Sequence, residues 1–243
     1  MAHKENKSSS THRIGENPEA DLALLLADCR ANLPKPDESL ISKAFHFCVK
    51  VHEKDRRASG EPYYVHLLEV ARIVAREIPL DDVSVAAALL HDIVEDHANY
   101  TIKDIRAEFG QTIATIVDGV TKITDISKSK EIKQAESYLK LVLSLVKDVR
   151  VILLKVADRL HNMRTLDHLL PHQQARIARE TLDIFAPFAH RFGLGNIKWE
   201  LEDLAFKFLN REQYDSIKKQ LNSTRKDREL YIQKFIHPIL QKL

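Results

Sequence analysis

The stretch with the clearest chemical content is residues 89–96 (LLHDIVED), in which a histidine and three acids follow apolar residues. On a helix, Asp92, Glu95 and Asp96 are i, i+3 and i+4 neighbours, so their carboxylates share one face. His91 is close enough to reach the same point. Carboxylates that close repel one another unless a cation lies among them. Because the alanine-rich run before them predicts a buried helix, where unpaired acids are costly, the pattern predicts a metal ion with an activated water.

His66 is a second candidate ligand. It lies in the first turn of a predicted helix that starts at Tyr63 after Pro62, a residue suited to the first helical position. The preceding loop, residues 55–62, is basic and suited to phosphate, and the His-Asp pair follows about 25 residues later. A lone histidine at such a place is normally structural. The basic loop before it and the His-Asp pair after it favour a role as a metal ligand.

Asp158 is a third candidate. It lies within residues 149–170, a helical stretch whose first turns are apolar nearly all round, so the acid requires a partner. Arg159 or Lys155 could provide that partner, and so could the metal. We favour the metal because polar residues line up beneath Asp158 at helical spacing. This face carries Asn162, Thr165 and Leu169.

The collected ligand set is His66, His91, Asp92 and Asp158. Two imidazoles and two carboxylates suit Mn²⁺, Fe²⁺ or Zn²⁺ better than Mg²⁺, which prefers oxygen ligands and keeps its waters. Such a cation acts as a Lewis acid and can lower the pKa of water from about 15.7 to around 7. An acid beside the set would then take or orient the proton of that water.

The elements that position these residues are predicted to be helices. The chain has 243 residues, enough for one large or two small domains, and only 6 are glycine. Apolar residues recur with a period of 3.6 rather than 2, so we interpret the chain as all-α. Trp199 is predicted to lie in the core. Helical patterns cover residues 21–32, 37–54, 63–78, 81–96, 101–110, 135–148, 149–170, 172–188 and 196–209.

Composition limits the function classes. The net charge of +2 is too balanced for a general nucleic-acid binder, so no direct nucleic-acid binding is expected. No run of about 18 apolar residues predicts a membrane span, and the polar start has no signal-peptide region. Cys29 and Cys48 lack metal or redox spacing and are interpreted as reduced core thiols of a cytoplasmic protein.

Two other segments and two histidines carry further expectations. Residues 1–17 are polar and serine-rich and are predicted to form a disordered tail. Residues 125–134 are predicted to form a mobile loop, for which a solvated role and a role in gating the site are equally compatible. His46 and His52, with no acidic partner seen at ligand spacing, are interpreted as surface or satisfied structural histidines.

The chain closely resembles the hydrolase domain of the RelA/SpoT family, the bacterial enzymes of guanosine tetra- and pentaphosphate. The resemblance covers roughly residues 38–240, and the order His, His-Asp, Asp matches HD-domain metal hydrolases in general. Five motifs carry it: RASGEPY at 57–63, HDIVED at 91–96, GVTK at 119–122, ADRLHNMRT at 157–165 and NIKWELEDLAF at 196–206.

The resemblance implies a multi-helix HD-domain phosphohydrolase fold with a metal site between central helices. It implies removal of the 3′-pyrophosphate from guanosine 3′,5′-bis(diphosphate) or its pentaphosphate, which yields GDP or GTP and pyrophosphate. The family's metal is usually Mn²⁺. Its ligands here would be His66, His91, Asp92 and Asp158.

Roles for the remaining motif residues follow from the same resemblance. Glu95 and Asp96 match the acidic pair that serves the catalytic water, and many members that have lost hydrolysis lack these acids. Arg57 and Ser59 match the loop that packs on the guanine nucleotide, where Arg57 would also offset phosphate charge. The base pocket would comprise Asn162, Thr165 and Leu169.

The sequence also departs from the family pattern. Ala58 stands where many members have a basic residue, and Leu67 replaces a proline that commonly follows the first ligand histidine. We expect residues 18–210 to form the HD-type hydrolase domain. Residues 211–243 would then be a helical segment that leads toward the synthetase and regulatory domains of full-length members.

Two other functions stay open. An HD phosphohydrolase that acts on a different nucleotide would share the metal ligands, although the Arg57 loop and the Asn162 strip argue against it. A degenerate domain that binds nucleotide without catalysis would also fit the fold. The presence of both Glu95 and Asp96 favours an active enzyme.

Overall fold

The computed structural model describes residues 13–78, 80–128 and 148–221, except for the side chains of 124–128. Within these ranges the chain is helical and forms no strand, only an isolated bridge between Arg56 and Pro62. The prediction of an all-α fold is confirmed. The helices are α1 (Pro18–Asn32), α2 (Glu38–Val51), α3 (Tyr63–Glu77), α4 (Asp82–Leu90), α5 (Ile93–Asp96), α6 (Ile102–Phe109), α7 (Gln111–Lys128), α8 (Val149–Arg164), α9 (Pro171–Glu180), α10 (Ala186–Arg191) and α11 (Gly195–Leu209).

Short acids and a hydroxyl cap the starts of several helices. The carboxylates of Asp37, Asp81 and Asp148 each accept a hydrogen bond from a backbone N–H in the first turn of α2, α4 and α8. Thr101 and Asp104 form a capping box at α6. Pro62 directly precedes α3 and fixes the entry of the helix that carries His66.

The centre of the molecule is formed by α3, α4 and α8. Residues 84–90 of α4 are all buried, and the helix packs against α2, α3 and α7. Helix α8 packs against α3, α7 and α11. Gly119 of α7 lies so close to α8 that a Cβ there would stand 2.7 Å from a methyl of Val151, so glycine permits this approach. The candidate ligands lie where α3, the end of α4 and α8 meet.

The predicted helix over residues 81–96 is interrupted. Helix α4 ends at Leu90, and Asp92 precedes the four-residue helix α5 with φ −93° and ψ −10°. Nδ1 of His91 is hydrogen bonded to the carbonyl of Ala88, which the N–H of residue 92 would use in a continuous helix. The functional histidine therefore helps to end the helix that delivers it.

The helix predicted to reach residue 170 ends earlier. Helix α8 stops at Arg164, and Thr165 leaves the helical conformation with φ −107° and ψ 13° while its hydroxyl donates to the carbonyl of His161. A 3₁₀ turn, Leu166–His168, follows. Leu169 is therefore brought to its place by a turn rather than by the face of a long helix. A π-helical turn, Thr181–Phe185, also interrupts the predicted helix over 172–188.

The prediction of a buried Trp199 is wrong. Its side chain is 72% exposed, whereas Ile197, Leu201 and Ala205 form the buried stripe of α11. These three residues are spaced by four positions, and Trp199 lies about 200° round the helix from Ile197. Cys29 and Cys48 are free and buried, as expected for core thiols.

Several segment predictions fall partly outside the described residues. Residues 125–128 of the predicted loop belong to α7, whereas 129–134 and the helix predicted over 135–147 lie outside. In the predicted tail, 1–12 lie outside, and 13–17 form a turn in which Asn17 caps α1. Residues 211–221 are helical. No helix in the described ranges has the length and apolar character needed to cross a membrane.

Candidate active site

The four predicted metal ligands converge from three parts of the chain. Nε2 of His66, on α3, lies 3.3 Å from Oδ1 of Asp158 on α8 and 3.8 Å from Oδ2 of Asp92. Nε2 of His91, in the turn between α4 and α5, lies 3.1 Å from Oδ1 of Asp92. The donor atoms of His66, His91 and Asp92 all lie within 4.8 Å of one another. This arrangement is compact enough for a single cation.

The second nitrogen of each imidazole fixes the orientation of its ring. Nδ1 of His91 donates to the carbonyl of Ala88 at 2.8 Å, which leaves the lone pair on Nε2. That Nε2 is buried and has no hydrogen-bond partner among the described residues. Nδ1 of His66 lies 2.8 Å from Nδ1 of His161, so its Nε2 also faces the carboxylates. A buried nitrogen without a hydrogen bond, 3.1 Å from a carboxylate oxygen of Asp92, fits a metal ligand set.

Electrostatics favours the ionised form of both carboxylates. Burial raises the pKa of Asp92, but His91 and His66 outweigh this effect and hold the pKa below its ordinary value. The pKa of Asp158 is well below its ordinary value despite burial, because Lys155 lies 3.2 Å away and His66 adjoins it. Burial lowers the pKa of His66. Both carboxylates are thus in the ionised form that a divalent cation requires.

Tyr63, His161 and Lys155 support the predicted ligands, and of these the sequence analysis named only Lys155, as a candidate partner of Asp158. The hydroxyl of Tyr63 donates to Oδ2 of Asp92 at 2.9 Å. His161 orients His66, and burial together with His66 lowers the pKa of His161 to about 3. Lys155 is buried against Asp158. Helical spacing could have found them, since Tyr63 lies three residues before His66, and Lys155 and His161 flank Asp158 at the same interval.

The two acids that follow the His-Asp pair have different surroundings. Glu95 lines the same cavity as Asp92. Asp96 interacts instead with Tyr63. Burial and the nearby charge of Asp92 raise the pKa of Asp96. The sequence analysis gave Glu95 and Asp96 the same role, because helical spacing places both near Asp92. In the structure only Glu95 lines the cavity among these two acids, whereas Asp96 interacts with Tyr63.

A cavity of about 930 Å³ opens beside the ligands, and every residue predicted to bind substrate lines it. Nη2 of Arg57 donates to Oδ1 of Asn162 at 2.9 Å, and Nδ2 of Asn162 donates to Oδ1 of Asp158 at 2.6 Å. Asn162 thus links the loop residue to a metal ligand. The predicted lining residues found here are Arg57, Ser59, Asn162, Thr165 and Leu169.

The loop that carries Arg57 is closed by its own backbone. The N–H of Gly60 donates to the carbonyl of Arg57 at 2.8 Å, and the N–H of Arg57 donates to the carbonyl of Glu61 at 3.0 Å. Gly60 has φ +86°, a conformation that glycine adopts without strain. This tight loop holds Arg57 over the cavity while Ser59 stays exposed.

Five basic side chains line the cavity alongside four acids. Arg57 is the basic residue that the sequence analysis predicted to bind substrate. The cavity wall also includes Lys155 and Arg159, which are four residues apart on α8. Arg159 is held by Glu180 at 3.0 Å and stacks over Phe185. Such a surface suits a polyanion with several phosphates. The basic lining residues are Arg56, Arg57, Lys155, Arg159 and Arg176.

The HD domain family matches residues 44–195, a range that includes all four predicted ligands. The chain belongs to the HD domain family. This assignment, together with the buried His/Asp group, identifies a divalent-metal site in the HD domain.

Curated relatives show which named enzymes the chain is similar to. The HD domain chain is 47% identical over 214 residues to a GTP pyrophosphokinase of Myxococcus xanthus, with 86% of this chain and 28% of the relative covered. It is 48% identical to a probable guanosine-3′,5′-bis(diphosphate) 3′-pyrophosphohydrolase of Synechocystis sp., with 78% and 25% covered. The enzyme of that name from Aquifex aeolicus is 42% identical, with 95% and 32% covered. The chain spans about a quarter to a third of these relatives.

A solved structure supports the fold. A metazoan ortholog of SpoT that hydrolyses ppGpp superimposes with a TM-score of 0.51 and is 24% identical. The match covers 69% of this chain and 94% of that chain. The multi-helix HD-domain fold predicted from the sequence is confirmed.

Proposed function

We propose that this chain removes the 3′-pyrophosphate of guanosine 3′,5′-bis(diphosphate), and of the pentaphosphate form, to give GDP or GTP and pyrophosphate. One observation carries the proposal: a two-histidine, two-aspartate centre opens into a cavity of about 930 Å³ that is lined by five basic side chains and also by Glu95. Relatives that bear the name of this activity are more than 40% identical to the chain.

We propose Mn²⁺ as the metal, held by His66, His91, Asp92 and Asp158. Two nitrogen and two oxygen donors suit Mn²⁺ and leave positions free for substrate and water. When bound, the cation would act as a Lewis acid on the phosphate and lower the pKa of water.

The residues of this chain would manage the proton of the attacking water. Glu95 faces the cavity and would accept or orient that proton. Water attacks the phosphorus bonded to the ribose 3′-oxygen, the bond between them breaks, and the 3′-oxygen leaves as a hydroxyl after it gains a proton. Tyr63 holds Asp92 in place and contacts Asp96, whose raised pKa makes it suited to carry a proton.

The rest of the cavity would bind the nucleotide. Lys155, Arg159 and Arg176 face the cavity and would neutralise phosphate oxygens. Arg57 and Ser59 would pack on the guanine nucleotide from the loop side. The pocket for the base would comprise Asn162, Thr165 and Leu169.

The relatives carry names for both hydrolase and pyrophosphokinase activities, and this chain covers a minor part of their length. We assign hydrolysis to this segment because it contains the metal centre and both acids. Residues 18–210 would be the hydrolase domain, and 211–243 would lead toward the synthetase and regulatory domains of a longer protein. The proposed guanine-nucleotide substrate and the free thiols fit a cytoplasmic setting.

The deciding experiment measures pyrophosphate and GDP released from guanosine tetraphosphate. The purified chain is stripped with a chelator and assayed before and after Mn²⁺ is restored. We expect release to require the metal and to exceed that from deoxynucleoside triphosphates and monophosphates. Preference for another nucleotide would favour an HD phosphohydrolase of different specificity. Binding of guanosine tetraphosphate without turnover would favour a non-catalytic domain.

A further inference from the structure

A second cluster of metal-ligating side chains lies outside the centre described above. Oδ2 of Asp55 lies 2.9 Å from Nδ1 of His52 and 2.9 Å from Nε2 of His97. The two ring nitrogens lie 3.2 Å apart. Asp55 therefore provides His52 with the acidic partner that the sequence analysis did not find, three residues further along the chain. The three donor atoms form a nearly equilateral triangle.

Hydrogen bonding satisfies this triangle only in a crowded form. A carboxylate brings no proton, so both ring nitrogens must donate to the same oxygen of Asp55. The two N–H groups then converge on one acceptor with their nitrogens 3.2 Å apart. If one nitrogen is unprotonated, its lone pair faces the carboxylate oxygen 2.9 Å away. A cation among the three atoms would accept all three as ligands.

The spacing suits a small transition-metal ion. Bonds of about 2.0–2.1 Å from tetrahedral Zn²⁺ place neighbouring donor atoms roughly 3.3 Å apart, which is close to all three sides of the triangle. Two imidazoles and a carboxylate are a common zinc donor set. The side chains of Asp55 and His97 are 38% and 24% exposed, so a cation can enter and water can complete its coordination.

We propose that His52, Asp55 and His97 form a second divalent-cation site of the Zn²⁺ class. His52 follows α2, Asp55 lies at the base of the loop that carries Arg57, and His97 follows α5, which carries Glu95. The cation would link the loop that carries Arg57 to the end of α5, the helix that carries Glu95. Its position makes it a structural or regulatory site rather than a part of the reaction.

Tyr63 separates this site from the HD centre. One face of its ring stacks on His52, with 4.8 Å between ring centroids, and its hydroxyl donates to Asp92. The two sites share no donor residue. Loss of one cation should therefore leave the other site able to bind.

Metal counting tests this proposal without any assay of hydrolysis. The full chain and its variants are stripped, dialysed against a limited excess of Zn²⁺ and analysed by mass spectrometry of the metal. We expect two equivalents for the native chain, one for His97→Ala and one for Asp92→Ala. The double variant should bind none. His46→Ala serves as the matched control, since His46 is an exposed histidine of α2 paired with Glu19, and it should retain two.

The Asp92→Ala background allows a second measurement. Co²⁺ in place of Zn²⁺ should give the visible absorption of a four-coordinate nitrogen and oxygen site there, and His97→Ala or Asp55→Asn should abolish it. Circular dichroism of each variant checks that it is folded. The proposal is overturned if the native chain binds one equivalent, or if His97→Ala still binds two.

Discussion

The cavity has two ends that are built in different ways. At the ligand end, His66 and His91 are at most 2% exposed and are set by helix positions and by hydrogen bonds to their second nitrogens. At the other end, named the nucleotide end for the proposed substrate, Arg57 and Ser59 lie on a loop, and Leu169 lies on a turn after α8. Metal chemistry requires fixed donors, whereas substrate recognition tolerates loops on a rigid frame. The difference predicts distinct consequences for changes at each end.

The largest effect is expected at the ligand end. Asp92→Ala removes a buried anionic donor that contacts His66 and His91, so the HD centre should lose its metal and pyrophosphate release should fall to background. Most helical circular dichroism should remain. Asp118→Ala, at an acid paired with Lys122 on α7, is the control and should retain activity. Full activity in Asp92→Ala would remove this residue from the ligand set.

Glu95→Gln probes the boundary between the two ends. The amide keeps the size of the side chain but accepts no proton, so kcat should fall by about 10²–10⁴ while metal content is unchanged. The sequence left open which acid serves the water, and Asp96→Asn provides the comparison. Because Asp96 interacts with Tyr63, we expect the smaller loss for Asp96→Asn. Loss of metal from Glu95→Gln would make Glu95 a ligand instead.

Asn162→Ala should act mainly at the nucleotide end. Arg57 would lose its hydrogen-bond acceptor, whereas Asp158 would keep Lys155 and His66 as neighbours. KM should rise by about tenfold, the scale of one charge-assisted hydrogen bond, and metal affinity should change less. Asn32→Ala, far away at the end of α1, is the matched control. Equal losses of metal and nucleotide affinity would show that the two ends are not separable at this residue.

A smaller effect should appear in the stability of the metal-free chain. The pKa of His161 is about 3 in the folded chain and 6.5 in its ordinary state, so the unfolded chain binds a proton over this interval and the folded chain does not. The free energy of unfolding should therefore decrease as the pH is lowered, by about 2 kcal/mol from roughly pH 6.5 to pH 4.5. Urea unfolding with chelator present should show a shallower pH dependence for His161→Gln. An identical dependence would contradict this burial effect.

The ligand end could be predicted from the sequence because its side chains occur in short motifs. His91 and Asp92 are adjacent, and the helical face of Asp158 is visible in the spacing. The break between α4 and α5 could not be predicted, because it depends on a side-chain bond from His91 to the backbone of Ala88.

The rest of the site required tertiary structure. The contact between His66 and His161 joins residues 95 positions apart, and nothing in their separate helices indicates it. His97 approaches Asp55 and His52 because α5 is short and turns back toward the end of α2. Trp199 was predicted to lie in the core because it is a large aromatic residue. The spacing of Ile197 and Leu201 places it on the opposite, exposed side of α11.

The exposure of Trp199 has a practical consequence. It is the only tryptophan in the 243 residues, and its indole meets solvent in the folded chain. Its fluorescence should already resemble that of an unfolded peptide and should be quenched readily by iodide. Emission would therefore be a poor gauge of melting but a sensitive reporter of anything that comes to cover the outer face of α11.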